Sequence, residues 1–495
     1  MAGLNAMGQH RRKGVAIGVA LSLLVSVGLV ASEHQAEAAS GADLVAACAP
    51  LAALPNVGPL ACKSVQTGTW LAAQACRRVD ALKDPLCATI DGRRVSEAAM
   101  AAFEASWLAR ALELQAQLDR NVPLSQALIP HTHNSANSGA YAPSVSNLDA
   151  NQVLTITDQL RLGMRAIEID LHWVPNPSGD PANGFRAVVQ CHGEPVATPA
   201  GTIHVGCSID TPLIDLLREL RTWLDSNPDQ FVLLYLENVL DGDPTAHAEA
   251  VAAINEALGT RVARPSDVPD GTCRSLPVTR TKQEILDSGA QVLVTGNCGP
   301  GGWNDWVFDR YPSWDESGGS DFDCAEERGQ IDFATTLVRR YEDSTWLSAM
   351  TGAGSHRDAS TIAEMVRCGV NLVGFDQLYP GDDRLPALVW SWATSEPSID
   401  ASGQCAAQGA DGRFFADDCE TARPVACRAA DGAWTLSNPV AWAGAVSACP
   451  APAQFSVPFN GWDNDQLRLA AATARVSEVW LAYSQNDGGA WVLSP

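Results

Sequence analysis

Basic residues are scarce in this chain of 495 residues. It has 33 lysines and arginines against 57 aspartates and glutamates, a formal net charge of −24. A protein that binds nucleic acid through its phosphates needs a basic face, so the composition disfavours that class of partner. An anionic substrate would have to be met by a metal ion or by a few placed cations. Charged residues are only 18% of the chain, yet hydrophobic residues are 46%, which excludes wholesale disorder.

Long apolar runs are also scarce, and the one that could span a bilayer extends from Val15 to Ala31. Basic residues 11–13 precede it, and the small-x-small sequence of residues 36–38 follows it. This order predicts a signal peptide over residues 1–39, with cleavage near Ala38 or Ala39; an uncleaved N-terminal anchor is the alternative. We therefore expect a secreted protein, with cell-surface association left open, whose 14 cysteines are paired as disulfides.

The remaining chain divides into three segments. Residues 40–123 are rich in alanine, carry four cysteines and show helical periodicity from Glu97 to Leu118, which predicts a small helical segment stapled by disulfides. Residues 124–388 alternate short apolar runs with helical patterns, which predicts an α/β fold of the (β/α)8 TIM barrel type. Residues 389–495 are richer in Trp, Gly and Cys and predict a separate disulfide-rich α+β domain.

Six strands of the barrel are marked clearly in the sequence. They are Ala127–Ile129, Arg165–Leu171, Ala187–Cys191, Phe231–Leu236, Gln291–Thr295 and Val370–Phe375. A helix is predicted at Leu213–Leu224, between the third and fourth of them. Strands six and seven are poorly marked and are expected between Asp332 and Met350.

Polar side chains occupy or follow the ends of the first four predicted strands. They are His133, Asn134, Glu168, Asp170, His192 and Glu237. Barrels gather their catalytic groups at the C-terminal ends of the strands, so these side chains are expected in one site. Glu168 and Asp170 are two residues apart on a strand and therefore face the same way.

The chemistry of this set favours a hard cation beside two proton-transfer groups. Three carboxylates, Glu168, Asp170 and Glu237, and the amide oxygen of Asn134 suit Ca²⁺ better than Zn²⁺, which prefers His and Cys. His133 and His192 remain free to move a proton or to hydrogen-bond a phosphoryl oxygen. Such a site is suited to phosphodiester cleavage, because the metal offsets negative charge in the transition state.

Four motifs together resemble the X region of calcium-dependent phosphoinositide-specific phospholipase C. They are His-Asn-Ser at 133–135, Arg-Ala-Ile-Glu-Ile-Asp at 165–170, Cys-His-Gly at 191–193 and Leu-Leu-Tyr-Leu-Glu-Asn at 233–238. The resemblance spans most of residues 124–388 in the same order.

The resemblance implies a role for each residue. Asn134, Glu168, Asp170 and Glu237 would bind Ca²⁺, and Glu237 or Glu168 would be the general base. His192 would protonate the leaving oxygen, and His133 would stabilise the pentavalent phosphorane. The implied product is a cyclic inositol phosphate, formed from phosphatidylinositol or a related phosphodiester at a phospholipid or membrane surface.

One departure from that family bears on the substrate. The eukaryotic members carry two lysines after the fifth strand that hold a ring phosphate, whereas this chain has Thr295 and Asn297 there. We therefore expect that polyphosphorylated inositides are not preferred. Trp303, Trp306 and Trp314 lie just beyond this strand and would either insert at a lipid interface or fold over the mouth of the barrel.

Three other functions are compatible in part with the residues of the predicted barrel. His131-x-His133 resembles the first strand of metal-dependent amidohydrolases, but no histidine lies between His247 and His356 to complete a zinc site. Glycerophosphodiester phosphodiesterases use a Glu-x-Asp pair on the same barrel, although they usually have His-Arg-Gly at the first strand. A non-catalytic protein that binds a surface or a glycan is the third alternative.

The C-terminal segment resembles a C-type lectin-like domain whose two halves are in reversed order. The resemblance pairs Cys405 with Cys419 and Cys427 with Cys449, while in the barrel Cys191 and Cys207 would close the loop after the third strand. The segments at the position of the family's sugar site are Glu396-Pro397-Ser398 and Phe415-Ala416-Asp417-Asp418, which depart from its motifs. Surface docking or a structural role is therefore favoured over glycan binding.

Overall fold

The computed structural model describes residues 95–141, 150–198, 201–205, 207, 210–265, 272–319, 321–345, 348, 354–398 and 403–494. Every described residue belongs to one compact unit, residues 94–495. The predicted signal peptide and Cys48, Cys62, Cys76 and Cys87 lie outside the described residues. No helix in the described ranges is long and apolar enough to cross a membrane.

Ten helices are described here. They are α1 Glu97–Glu104, α2 Trp107–Leu118, α3 Ile156–Arg161, α4 Leu213–Ser226, α5 Pro244–Ala257, α6 Lys282–Asp287, α7 Cys324–Gln330, α8 Ala359–Cys368, α9 Ala445–Ala448 and α10 Gly461–Thr473. The single helix predicted from Glu97 to Leu118 is two helices, because Ser106 caps the second through its side chain, which accepts a hydrogen bond from the backbone of Ala109.

Twelve strands precede the C-terminal region. They are β1 His131–Thr132, β2 Ala166–Asp180, β3 Arg186–Gln190, β4 Glu194–Thr198, β5 Gly201–Val205, β6 Val232–Val239, β7 Val262–Ala263, β8 Val292–Gly296, β9 Phe308–Asp309, β10 Trp314–Gly318, β11 Leu337–Tyr341 and β12 Leu372–Phe375. The main sheet has the order β10-β11-β12-β1-β2-β6-β8-β7, with β9 also paired to β8, and all of these neighbours are parallel.

The described strands form a curled parallel sheet and not the closed eight-stranded ring that was predicted. Among them, β10 at one end of the sheet pairs with neither β7 nor β9 at the other end. The two strands at that far end are only two residues long, which limits the ladder that they can offer. The strands nevertheless run the same way, so their C-terminal ends lie on one edge, called the mouth below.

Predictions for three of the strands are wrong. The first strand of the sheet, β1, is His131–Thr132, whereas the predicted Ala127–Ile129 forms no strand. The third predicted strand, β3, is antiparallel to β2 and forms a hairpin with it, so it is no member of the parallel series. Of the two strands expected between Asp332 and Met350, β11 lies there but β10 lies earlier in the chain. Its sequence, Trp-Asp-Glu-Ser-Gly, is too polar to mark a buried strand.

Helix α4 packs on the outer face of the sheet through one apolar face. In α4 the residues Leu213, Leu216, Leu217, Leu220 and Leu224 recur at three- and four-residue spacing, and all are buried. They share a hydrophobic cluster with Leu234 of β6 and Ile169 of β2. This packing fixes the alternate residues of β2 and β6 toward the inside of the sheet.

Seven strands build the C-terminal region. They are β13 Cys405–Gly409, β14 Phe414–Asp417, β15 Ala426–Arg428, β16 Trp434–Leu436, β17 Gln454–Phe455, β18 Glu478–Gln485 and β19 Trp491–Leu493. They form a four-stranded sheet, β14-β13-β18-β19, and a three-stranded sheet, β16-β15-β17. One hydrophobic cluster joins Met365 and Leu388 of the α/β part to Trp392, Phe414 and Leu481, so the region packs tightly against the sheet and its helices.

Every cysteine in the described ranges is in a disulfide. The pairs Cys405–Cys419, Cys427–Cys449 and Cys191–Cys207 confirm the predicted pairings. Two further bridges, Cys273–Cys298 and Cys324–Cys368, lie within the α/β part. This dense bridging is typical of proteins from an oxidising compartment.

Candidate active site

Three carboxylates meet at the mouth. Asp170 of β2 is directly beside Glu237 of β6 in the parallel register, and Glu168 lies one step deeper on the same face of β2. Each offers an oxygen such that the three oxygens lie within 4.8 Å of one another. Glu168 and Asp170 are buried and Glu237 is exposed, so the cluster opens toward solvent through Glu237.

Asn134 joins this cluster from the end of β1. It has a left-handed backbone with φ +45°, a conformation that asparagine tolerates better than most residues. Its backbone N–H donates to Glu168 Oε2 at 3.0 Å. Its side-chain amide lies 3.0 and 3.2 Å from the two carboxylate oxygens of Asp170. With no cation present, the amide N–H2 group of Asn134 donates to both of these oxygens, and a cation shared with Asp170 would require the amide oxygen to turn toward it.

The charges of the three carboxylates differ because of their neighbours. Burial raises the pKa of Asp170 well above its usual range, and Glu237 and Glu168 add to this effect. Partial burial and the charge of Glu168 raise the pKa of Glu237. Ionising Asp170 and Glu237 together is therefore unfavourable by itself, and a nearby cation would favour their charged forms.

Glu168 behaves differently because of Arg339, a residue of β11. Arg339 Nη2 lies 2.5 Å from Glu168 Oε2, and its Nη1 lies 2.8 Å from Glu316 of β10. Burial opposes the charge of Glu168, but Arg339 and the nearby histidines outweigh it and lower its pKa. Glu168 is therefore held ionised and is a poorer proton acceptor than Glu237.

His133 lies beside the carboxylates and is bonded to Asp376, which follows β12. His133 Nδ1 is 3.2 Å from both oxygens of Asp376, and both residues are buried. Asp376 also accepts hydrogen bonds from the backbone N–H of Ser344 and the side chain of Gln152. Burial raises the pKa of Asp376 to about 6, against the lowering effect of His133. Nδ1 is thus committed, and Nε2 is the nitrogen left for a ligand.

His192 reaches the mouth by a route that differs from the predicted one. It follows β3, which runs back along β2, and the backbone N–H of its neighbour Cys191 donates to the carbonyl of Asp170 at 3.2 Å. The hairpin therefore returns the chain to the level of Asp170. The side chain of His192 is exposed there.

At the end of β8, where this sequence lacks the two lysines of the eukaryotic family, the structure contains an arginine. Thr295 is fully buried and its hydroxyl donates to the carbonyl of Phe308, so it faces no ligand. Asn297 Oδ1 accepts a hydrogen bond of 3.1 Å from Arg310 Nε, and Arg310 Nη1 is 2.8 Å from Glu316. The charge of Arg310 is therefore paired within the protein.

The tryptophans that were considered for a lipid interface are buried. Trp303, Trp306 and Trp314 are all below 9% exposed and belong to the packed interior. The large apolar side chains that are exposed in this part of the chain are instead Phe185, Val196, Ile203 and Tyr311. Val196 and Ile203 are partners across the β4–β5 hairpin.

Two residues of this site, Asp376 and Arg339, were not predicted from the sequence. Asp376 is not among the predicted site residues, although its place directly after the predicted strand Val370–Phe375 is a signal. Arg339 lay in a strand that was not located, and its burial at 3% exposure could not be read from the polar sequence Leu-Val-Arg-Arg-Tyr.

Comparison with known proteins gives one family and two close relatives. The model of a family described as the Rv2075c PI-PLC-like domain matches residues 90–382. Two proteins of Mycobacterium tuberculosis, the uncharacterized protein Rv2075c of strain H37Rv and the uncharacterized protein MT2135 of strain CDC 1551, are each 36% identical to this chain over 479 residues. The alignment covers 92% of this chain and 93% of each relative.

Solved structures are similar at a lower level. The phosphatidylinositol-specific phospholipase C of Listeria monocytogenes is 12% identical, with a TM-score of 0.36 over 56% of this chain and 97% of its own. That of Staphylococcus aureus is 13% identical, with a TM-score of 0.36 over 57% of this chain and 98% of its own. Both TM-scores lie below 0.5, so the likeness of the chain to known proteins rests on the family model and the two relatives.

Proposed function

Because this chain belongs to the Rv2075c PI-PLC-like domain family, a family of phospholipase C-like phosphodiesterases, we propose that it is an exported, Ca²⁺-dependent enzyme that cleaves phosphatidylinositol or a related phosphodiester. The observation that carries the proposal is the meeting of Glu168, Asp170 and Glu237 beside the His133–Asp376 pair. Five disulfides in the described ranges support export.

The donor set fits Ca²⁺. Glu168, Asp170 and Glu237 supply carboxylate oxygens and Asn134 an amide oxygen, and hard oxygen ligands are what Ca²⁺ takes. Burial and the neighbouring carboxylates raise the pKa values of Asp170 and Glu237. A cation bound between them would stabilise their ionised forms, which supports a cation site here. When bound, Ca²⁺ would offset the charge of the phosphodiester and lower the pKa of the attacking hydroxyl.

The protein's own groups divide the proton transfers. Glu237 is the general base, since it is exposed at the mouth and its pKa is raised by partial burial and by Glu168. It takes the proton of the inositol 2-hydroxyl as that oxygen bonds to phosphorus. The bond from phosphorus to the diacylglycerol oxygen then breaks, and that oxygen takes a proton from His192. The first product is a cyclic inositol phosphate.

His133 stabilises the phosphorane. A carboxylate can only accept, so Nδ1 of His133 donates to Asp376. The imidazolium form then leaves an N–H at Nε2 for a phosphoryl oxygen. Asp376 favours that charged form, since its charge raises the pKa of His133 although burial opposes it.

The proposed substrate, phosphatidylinositol, lies in a membrane surface that the protein would have to contact. Val196 and Ile203 are exposed side by side on the β4–β5 hairpin, which follows His192 in the chain. Such a pair can enter the outer layer of a lipid surface. Plain phosphatidylinositol is favoured over polyphosphorylated forms, because Arg310 is already paired with Glu316.

The C-terminal region is proposed to be C-type lectin-like with a structural or docking role. Glu396 Oε2 accepts hydrogen bonds from the backbone of Ser398 and Ala416, and Asp417 is ion-paired with Arg423. These groups stand where the family's sugar ligands would be, and their internal bonds support a role other than glycan binding.

The test is turnover of phosphatidylinositol vesicles by the full chain, with Ca²⁺ and with a chelator, compared with His192→Ala. We expect release of a cyclic inositol phosphate that the chelator abolishes and that the substitution lowers about 10²-fold or more. Activity that ignores both the chelator and the substitution would contradict the proposal. Faster turnover of a glycerophosphodiester than of the lipid would favour the glycerophosphodiesterase alternative.

A further inference from the structure

Three titratable side chains outside the proposed catalytic set form a hydrogen-bonded chain under the β4–β5 hairpin. His204 of β5 lies between His172 of β2 and Asp241, which follows β6. Its Nδ1 is 2.7 Å from Nδ1 of His172, and its Nε2 is 3.0 Å from Asp241 Oδ2. Both histidines are buried, and their rings meet edge to face.

The direction of these hydrogen bonds is set by Asp241. Its carboxylate can only accept, so Nε2 of His204 carries a hydrogen, and in the neutral ring Nδ1 is an acceptor. His172 must then donate from its own Nδ1. The chain is therefore satisfied at every step, as buried polar groups require.

The chain fastens the hairpin to two strands of the catalytic sheet. Along the hairpin, side chains alternate in direction: Ile203 is exposed and His204 is buried beneath it. His172 lies two residues beyond Asp170 on the same face of β2. Asp241 lies on the loop that follows β6, the strand of Glu237. His204 thus joins the hairpin to the strands that carry three of the proposed calcium ligands, Glu168, Asp170 and Glu237.

His192 lies at the root of this hairpin. The disulfide Cys191–Cys207 closes the loop that contains both strands, and the backbone N–H of Cys207 donates to the carbonyl of His204 at 3.2 Å. Only Gly193 separates His192 from β4. The backbone of His192 is therefore continuous with the hairpin that His204 holds.

We propose that His204, bonded to His172 and Asp241, is a positioning residue that holds the β4–β5 hairpin and thereby fixes His192 on the leaving-group side of the site. The inference rests on the proposed function, in which His192 is the general acid. It adds three residues to the machinery, none of which touches substrate. Its signature is a defect confined to protonation of the leaving group.

The test compares two substrates. Cleavage of phosphatidylinositol expels a poor alkoxide, which needs a general acid, whereas an aryl ester of inositol phosphate expels a phenolate, which does not. His204→Phe keeps an aromatic ring of similar size and removes both hydrogen bonds. We expect it to lower kcat on the lipid about 10- to 100-fold and to change turnover of the aryl ester less than about threefold.

Two further variants extend the test. His192→Ala should show the same selectivity, and the double variant His192→Ala/His204→Phe should lose no more than His192→Ala alone, because both changes act on one step. Asp241→Asn provides a second variant in case His204→Phe folds poorly, since Asp241 is partly exposed and has a left-handed backbone that asparagine tolerates. It should show the same selectivity to a smaller degree.

His247→Phe is the matched control. His247 is also buried and held by hydrogen bonds, to Asn238 and to the carbonyl of Asp243. This control should affect both substrates alike. Equal losses on both substrates in His204→Phe, or no loss on either, would overturn the positioning role. A parent protein inactive on both substrates would instead refute the proposed function itself.

Discussion

His133 Nδ1 lies 3.2 Å from both carboxylate oxygens of Asp376, although the two residues are 243 positions apart in the chain. The contact exists because β1 and β12 are parallel neighbours, with Thr132 in register with Phe375. Each residue is the first after its strand. The sheet therefore brings an imidazole and its orienting carboxylate together without any long loop.

The first prediction concerns Asp376→Asn. The amide has nearly the same shape but cannot stabilise the imidazolium of His133, so kcat should fall about 10²-fold or more while KM changes little. The pKa of His133 should also fall, because burial already opposes its charge and Asp376 supplies part of the opposing effect. The role needs the protonated ring, so activity is lost as pH rises through that pKa.

The alkaline limb of the pH–rate profile should consequently move to lower pH in Asp376→Asn at a fixed Ca²⁺ concentration. Asp382→Asn is a suitable control, because Asp382 is also buried but is bonded to Arg384. An unchanged alkaline limb in Asp376→Asn would remove His133 from its proposed role.

A second prediction concerns Ca²⁺ binding without reference to turnover. Ca²⁺ at about 100 times its Kd should stabilise the parent protein by about 2.7 kcal/mol, seen as a rise in Tm. Asp170→Asn removes one charged ligand and should abolish most of that rise at the same concentration. Glu256→Gln, at an exposed surface glutamate, should keep it. Equal rises in all three proteins would place the ion elsewhere.

The strands with continuous apolar runs could be predicted from sequence, and so could the helix α4. Val232–Val239 and Val292–Gly296 have few polar residues, and the leucines of α4 recur at helical spacing. Residues two apart on β2 also had to share a face, which is why Glu168 and Asp170 could be placed together. Local periodicity carries all of this information.

The direction of β3 and the place of Arg339 could not be predicted in this way. A hairpin and a parallel crossover differ in pairing, which depends on distant residues, and Ala187–Cys191 fits either. Arg339 is tolerated inside the sheet only because Glu168 and Glu316 arrive from two other strands. A polar strand of this kind has no apolar pattern to reveal it.

A third prediction tests that ion-pair arrangement. Arg339→Met leaves Glu168 and Glu316 without their shared cation, and breaking a buried pair of this kind costs about 3 kcal/mol, measurable by denaturant unfolding without Ca²⁺. Because the site is then more negative, Ca²⁺ should restore more stability to this variant than it adds to the parent.

Arg340→Met is its matched control. Arg340 is equally buried but pairs with Asp315 and Glu327 and not with the proposed calcium ligands. It should destabilise the protein less than Arg339→Met, because Asp315 and Glu327 are more exposed than Glu168, and it should leave the increment from Ca²⁺ at the parent value. Equal increments in both variants would mean that Arg339 does not act on the cation site.

A fourth prediction separates contact with lipid from chemistry. Val196 and Ile203 are 43% and 53% exposed on the outward face of the β4–β5 hairpin, while His204 holds the inward face. Changing both residues to serine removes apolar surface that would be buried on binding to a membrane. Full burial of one apolar side chain contributes about 1.5–3 kcal/mol. Binding to phosphatidylinositol vesicles should weaken about tenfold or more. Turnover of a soluble short-chain substrate should stay at the parent value, because neither side chain takes part in the hydrogen bonds that hold the hairpin.

Val446→Ser, at a side chain 63% exposed in the C-terminal region, is the control for loss of an exposed apolar group. Equal weakening in that control, or no weakening in the hairpin variant, would contradict a specific role of the hairpin in lipid binding.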